Sequence, residues 1–260
     1  MIHVVADLGN TRLKWGRVGP GGWVEQVVAL PADDPDAWSL AWDDWVRADQ
    51  GPTSWAISSV NPPAAARLAT FLGDRSVASV RWYRSAADVD VAQALAHPET
   101  TGADRALAVA AAVATRPRGR PGLVVLCGTA VTVERISAEG VWQGGAIGLG
   151  LGLSARALHT LTAQLPEVTP IEMPPAWGDA TRPALEAGVY WGVVGAVREL
   201  LTRQSIGLGD SPWLVWSGGD AGALSRAISW PDAQVSPDLV LLGLARQAFS
   251  GTSHGQGHGV

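Results

Sequence analysis

The chain has 260 residues, enough for one large hydrophobic core or two moderate ones. A hydrophobic fraction of 47% against 17% charged residues excludes a disordered chain, and a net charge of −5 without a dense basic run argues against nucleic acid as a partner. The single cysteine, Cys127, excludes an internal disulfide and a cysteine-rich zinc site. No basic, apolar signal segment precedes Asp7, and no uninterrupted stretch of ~20 apolar residues follows. The expectation is a cytoplasmic protein without membrane contact. The thirteen tryptophans mostly stand singly and read as core and interface fillers.

In chain order, residues 1–19 read as two strands joined by a tight turn, followed by a Gly19-Pro20-Gly21-Gly22 connection and a strand over 23–30. Trp38, Leu40, Trp42 and Trp45 give 31–51 a mixed helical pattern. Trp55–Val60 is a buried strand closed by Asn61-Pro62-Pro63, Ala64–Gly73 a short helix, and Val77–Tyr83 a further strand. Ala106–Thr115 is an alanine-rich helix. The basic, proline-rich segment 116–122 is the best boundary, dividing the chain into lobes of 1–118 and 119–250 with a polar tail at 251–260. In the second lobe, strands at 123–126 and 130–136 lead through a glycine-rich stretch at 143–153 to a helix at 154–165. A long helix at 182–203 carries Gly188, Gly192 and Gly195 on one face, suited to close packing within the chain or across a dimer. A strand at 213–217 and a last helix at 237–249 complete the pattern, that of an α/β protein with mixed sheets.

The stretch with most chemistry is Val4 to Lys14. An apolar β-branched run breaks into Asp7-Leu8-Gly9-Asn10-Thr11-Arg12-Leu13-Lys14. Gly9 lets the backbone approach a ligand, and Asn10 and Thr11 add short hydrogen-bonding groups. Asp7 at the strand end could hold magnesium or its water, and Lys14 could reach a phosphate. An ordinary β-turn is the competing reading. A similar passage recurs at Gly128-Thr129, again between two strands, which suggests a duplicated α/β unit with a nucleotide between the halves. Gly218-Gly219-Asp220-Ala221 is a third glycine turn at a strand end. Gly102-Ala103-Asp104-Arg105 opens a helix: amides there can hold an anion, Arg105 can clamp a carboxylate or phosphate, and Asp104 can accept a proton or simply cap the helix.

Taken together, these passages resemble the type III pantothenate kinases, also known as Bvg accessory factor homologues. The family's DxGNTxxK/R corresponds to Asp7–Lys14, its GxDR to Gly102–Arg105, its GTAxT to Gly128–Thr132 and its GG pair to Gly144-Gly145. Its ALxxxTAxLP runs from Ala157 to Pro166, its TxxA(I/L)xxG from Thr181 to Gly188, and its GGDA from Gly218 to Ala221, all in family order. The resemblance implies an actin-like, sugar-kinase-type ATPase fold of two RNase H-like lobes. It also implies transfer of the ATP γ-phosphate to the primary hydroxyl of pantothenate, the first step of coenzyme A synthesis, by a homodimer using magnesium. By position, Asp104 is the general base. Leu95, Gly102, Ala103, Asp104, Arg105 and Thr181 line the pantothenate site. Asp7 to Lys14, Gly128, Thr129, Gly218 and Gly219 surround ATP.

Four positions depart from the family pattern. Leu126 stands where many members have an aspartate that ligates a monovalent cation such as potassium, and Leu95 where many have an aromatic residue at the substrate. Leu149 replaces a proline, and Glu134 replaces the aspartate that follows GTAxT. Leu126 predicts little dependence on potassium or ammonium, with Glu134 as the carboxylate that could take over the role. A non-catalytic accessory protein, or a kinase of the same fold for another small hydroxyl substrate, are the alternative readings.

Overall fold

The computed structural model describes residues 1–45, 51–75, 77–209 and 212–249; the expected tail at 251–260 lies outside them. The described residues form two compact units, the first made of those within Met1–Val91, Ala96–Ala111 and Leu239–Phe249, the second of those within Ala92–Leu95 and Ala112–Asp238.

In the first unit, β1 (Ile2–Leu8), β2 (Arg12–Val18), β3 (Val24–Pro31), β4 (Thr53–Ser59) and β5 (Val77–Tyr83) form a sheet in the order β3-β2-β1-β4-β5. β1 pairs antiparallel with β2 and parallel with β4. These two central strands are covered on both faces, which is why their sequences run apolar with little alternation. Every residue of β4 is buried. Helices α1 (Pro35–Trp45) and α2 (Pro62–Gly73) close one face around an aromatic core. Trp15 meets Trp55 edge-on, Trp42 stacks on Trp55, and Trp38 and Phe71 fill the space beside them. The tryptophan expectation holds for these side chains, whereas Trp23 and Trp177 are largely exposed.

The second unit repeats the plan. β6 (Gly122–Cys127), β7 (Ala130–Ile136), β8 (Trp142–Leu149), β9 (Trp213–Ser217) and β10 (Ala233–Val235) order as β10-β9-β6-β7-β8. Matching strands in chain order gives the first sheet's connectivity again: an antiparallel three-strand meander whose first strand is flanked by parallel strands on its other side. Its core lies between the sheet and helices α4 (Leu151–Thr160), α5 (Thr181–Ser205) and α6 (Ala221–Ala227).

Three expectations shift. The glycine-rich stretch at 143–153 is mostly β8, since a strand lying close over its neighbour tolerates glycine where a side chain would collide. The helix expected at 154–165 begins and ends earlier, as α4. The last helix, α7 (Leu239–Phe249), packs against β1 to β4 instead of the second sheet, and Gly243 lets its backbone come close to Leu107 in helix α3 (Ala103–Thr115). The lobes are therefore not the contiguous halves 1–118 and 119–250. A buried apolar face pairs with whichever sheet completes its burial, and sequence order does not decide that.

Candidate functional site

In the first unit, β1 delivers Asp7 to the end of the sheet and the chain turns at once. The Gly9 amide donates to Arg12 O at 3.0 Å, which closes the turn. Asp7 lies opposite Lys14 in the β1–β2 register and beside Ser58 in the β1–β4 register. The next segment completes the wall. Asn61 caps α2 by accepting from the Ala64 amide at 3.1 Å, and its side-chain amide donates to Gly9 O at 3.5 Å. Ser58 is fully buried. Ser58 and Asn61 were missed as site residues by sequence reasoning. Their signal was small polar residues interrupting an apolar strand end just before an Asn-Pro helix start.

Helix α3 brings Asp104 to the same place. Gly102 leaves room for that carboxylate: a Cβ would lie 2.4 Å from Asp104 Oδ1 and 3.3 Å from Val60 Cγ1, so Asp104 would have to shift. Asp104 Oδ1 accepts from the Arg105 amide at 2.9 Å. Although Asp7 keeps some residue exposure, protein crowds its carboxylate, and its pKa is raised to about 7. Burial is the largest cause, and the negative charge of Asp104 adds to it. The Lys14 charge and the Ser58 hydroxyl act in the opposite direction. Two carboxylates thus share one corner with a lysine, an arrangement that added positive charge would relieve. Among the described residues no three His, Cys, Asp or Glu side chains gather as ligands. A cation at Asp7 would therefore complete its shell with oxygens from elsewhere, as magnesium does when shared between a carboxylate and phosphates.

The second unit assembles Gly128, Thr129, Gly218 and Gly219 around its own turn, and it does so through the backbone. The Gly128 amide donates to Ala130 O, the Gly150 amide to Thr129 O and the Asp220 amide to Cys127 O, each at 3.0–3.1 Å. Gly218 has φ +96°, and a Cβ there would lie 2.3 Å from Cys127 O. A Cβ on Gly150 would lie 2.0 Å from Gly128 O. Both glycines therefore permit contacts that no other residue allows. Gly150 was also missed: one glycine among several in a glycine-rich stretch gives no hint of the turn it covers. Cys127 is buried, and its thiol pKa is raised beyond the ordinary range by that burial, which makes it inert. Leu126 sits between Ser217 and Thr132 in register, with no side-chain oxygen of its own. Glu134 is fully buried and accepts from the Trp142 indole at 3.0 Å. Leu95 lies near Gly144, and Thr181 stands exposed as the first residue of α5.

The type III pantothenate kinase family model matches residues 3–203. The chain belongs to that family. A type III pantothenate kinase from Porphyromonas gingivalis is 41% identical over 94% of this chain and 97% of its own length. Those from Synechococcus elongatus and Akkermansia muciniphila are 33% and 31% identical, over 95% and 94% of this chain and 97% of each relative. Among solved structures, a protein described as a Baf family transcriptional activator from Campylobacter jejuni superposes with a TM-score of 0.57 at 17% identity, covering 94% of this chain and 96% of that one. One described as a 2-dehydro-3-deoxygalactonokinase from Sinorhizobium meliloti gives 0.58 at 16%, covering 96% and 99%. At those identities the likeness shows the fold alone. It is the actin-like, sugar-kinase-type α/β fold, with two mixed sheets. No helix of the described residues is long and apolar enough to cross a membrane.

Proposed function

We propose that this chain transfers the γ-phosphate of ATP to the primary hydroxyl of pantothenate. The observation that carries the reading is the shared corner of Asp7, Lys14 and Asp104 at the end of β1, in a chain that matches the kinase family over most of its length. Asp104 takes the hydroxyl proton as the oxygen attacks the γ-phosphorus. The new O–P bond forms while the bond to the bridging oxygen of ADP breaks, and ADP leaves with that electron pair. Arg105, beside the base, holds the substrate carboxylate, with Gly102, Ala103, Leu95 and Thr181 completing its binding residues. The turn at Gly9, with Asn10, Thr11, Arg12 and Lys14, binds phosphate oxygens, and Gly128, Thr129, Gly218 and Gly219 bind the same nucleotide. Magnesium, when bound with ATP, supplies positive charge against the phosphates, and Asp7 holds it directly or through water. Leu126 itself offers potassium no side-chain oxygen. The proposed location of this step of coenzyme A synthesis is the cytoplasm.

The working form is a homodimer. Cβ atoms added at Gly188, Gly192 or Gly195 would meet nothing within 4 Å among the described residues, whose packing therefore does not explain the small-residue face of α5. A groove of about 500 Å³ beside it is lined by Leu149, Leu158, Leu161, Gly188 and Gly192, and Leu161 is 81% exposed. An apolar face of this kind suits burial by a second copy. The deciding experiment is ADP release measured with ATP and magnesium, with and without pantothenate. Release that depends on pantothenate supports the kinase reading, and none under either condition overturns it. Sedimentation of the active protein as a monomer would overturn the dimer.

A further inference from the structure

Glu134 and Trp142 have no part in the reaction just described, yet the second unit is built tightly around them. Both are fully buried. Burial of a carboxylate is costly unless hydrogen bonds compensate it, and the Trp142 indole N–H donates to Glu134 Oε2 at 3.0 Å. The main chain of Trp142 holds a separate segment. Its N–H donates to Ala92 O and its carbonyl accepts from the Ala94 amide, both at 2.8 Å, so Gln93 forms a parallel bridge beside the start of β8 and the segment Ala92–Ala94 is held there. Leu95 follows directly.

The glycine pair of β8 fits the same cluster. A Cβ on Gly145 would lie 2.6 Å from Glu134 Oε2 and 2.1 Å from Val133 O. Gly144, at φ +97°, faces Leu95: an added Cβ there would sit in ordinary contact with Leu95 Cδ2, at 3.6 Å. The β7–β8 register also shifts between Glu134 and Ile136. Where a ladder is interrupted, side-chain contacts must fix the alignment that backbone pairing leaves open.

We propose that Glu134 is a positioning residue for the substrate pocket. By holding the Trp142 indole it fixes the residue whose main chain carries the segment Ala92–Ala94, and with it Leu95, and so sets affinity for pantothenate without taking part in phosphoryl transfer. This inference rests on the kinase reading, in which Leu95 contacts substrate.

The test uses the full-length protein with ATP, magnesium and pantothenate. Trp142→Phe removes the donor but keeps a ring; Glu134→Gln keeps an acceptor oxygen; Leu95→Ala alters a partly exposed side chain. Loss of one hydrogen bond predicts that Trp142→Phe raises the KM for pantothenate by roughly 5–10-fold, with kcat and the KM for ATP within about twofold of the parent. Glu134→Gln should restore a KM within about twofold of the parent. The Trp142→Phe/Leu95→Ala double variant should be no worse than the poorer single one, because both act through the same contact. Losses that add, or a fall in kcat with KM unchanged, overturn the proposal. Hydrogen exchange supplies a readout apart from activity: the Ala94 amide should lose protection in Trp142→Phe, and unchanged protection also overturns it. If Trp142→Phe does not fold, the parent decides, since saturating pantothenate must then increase protection at Ala94 and Leu95. A parent without pantothenate-dependent turnover is a failure of the kinase reading, and the Ala94 exchange still reports whether Trp142 holds the segment.

Discussion

The two turns, Gly9–Thr11 and Gly128–Thr129, sit at equivalent places in two sheets of the same connectivity, and they are held in different ways. In the first, the residue two positions before the glycine is Asp7, paired across the strands with Lys14 and flanked by Ser58. In the second it is Leu126, paired with Thr132 and flanked by Ser217. Backbone geometry is shared, with the glycine amide donating to the far side of the turn at 3.0 Å in both. The charged groups differ. The first turn gathers two carboxylates and a lysine; the second is fastened by the close approach of Gly150 and Gly218 to its main chain. Duplicated topology supplies amides in two places, whereas ionic chemistry needs only one.

The largest effect should come from breaking the ionic turn at its base. Asp104→Asn keeps the size and removes the proton acceptor, so kcat should fall by roughly 10²–10⁴-fold while ATP affinity measured by calorimetry changes little. Near-parental kcat would remove Asp104 from its role. Asp7→Asn should raise the magnesium concentration for half-maximal rate by roughly 10-fold in a protein that remains folded. An unchanged magnesium titration would reduce Asp7 to a turn residue.

The backbone-held turn predicts losses of stability. At Gly218 an alanine would occupy the left-handed region and collide with Cys127 O, so Gly218→Ala should cost about 1–3 kcal/mol or more in denaturant unfolding. Gly219 has open space at its Cβ position, and Gly219→Ala should stay within ~0.5 kcal/mol. Equal losses at the two positions would refute this account of the second turn.

A smaller signal lies in the pH dependence of the metal-free protein. Asp7 has its pKa raised from 3.8 to about 7 in the folded state. Between those values the native state keeps a proton that the unfolded chain has released, so its contribution to stability is present below pH ~4 and lost as the pH rises toward ~7. Asp7→Asn should flatten that slope and raise the apo melting temperature at neutral pH. A parent whose melting temperature climbs steadily over this window, unaffected by the substitution, would contradict the assignment. The smallest effect concerns the monovalent cation. Leu126 offers no side-chain oxygen, so potassium titration from a potassium-free buffer should change the rate by less than about twofold, since a cation in an apolar setting is unfavourable. Leu126→Asp is the variant that should gain a response. Strong activation of the parent at low millimolar potassium would show that other groups have taken over the site.

The sequence by itself determined a great deal of this protein. Asp7-Leu8-Gly9-Asn10-Thr11 marks a strand end and turn because a run of apolar, β-branched residues cannot continue through a carboxylate and a glycine. The Gly102–Arg105 passage marks a helix start for equally local reasons, and the recurrence of the turn at Gly128 already implied a duplicated unit. Other features depend on partners distant in the chain. Ser58 and Asn61 became part of the site only when β4 paired with β1, and Gly150 and Gly218 became necessary only when the chain brought them against the second turn. Helix α7 follows the second unit in sequence yet packs on the first sheet, and Trp142 gathers Ala92–Ala94 from far upstream. Local pattern is set by backbone sterics and side-chain type within a few residues. Long-range pairing is set by which surfaces remain to be buried, and that is decided only when the whole chain packs.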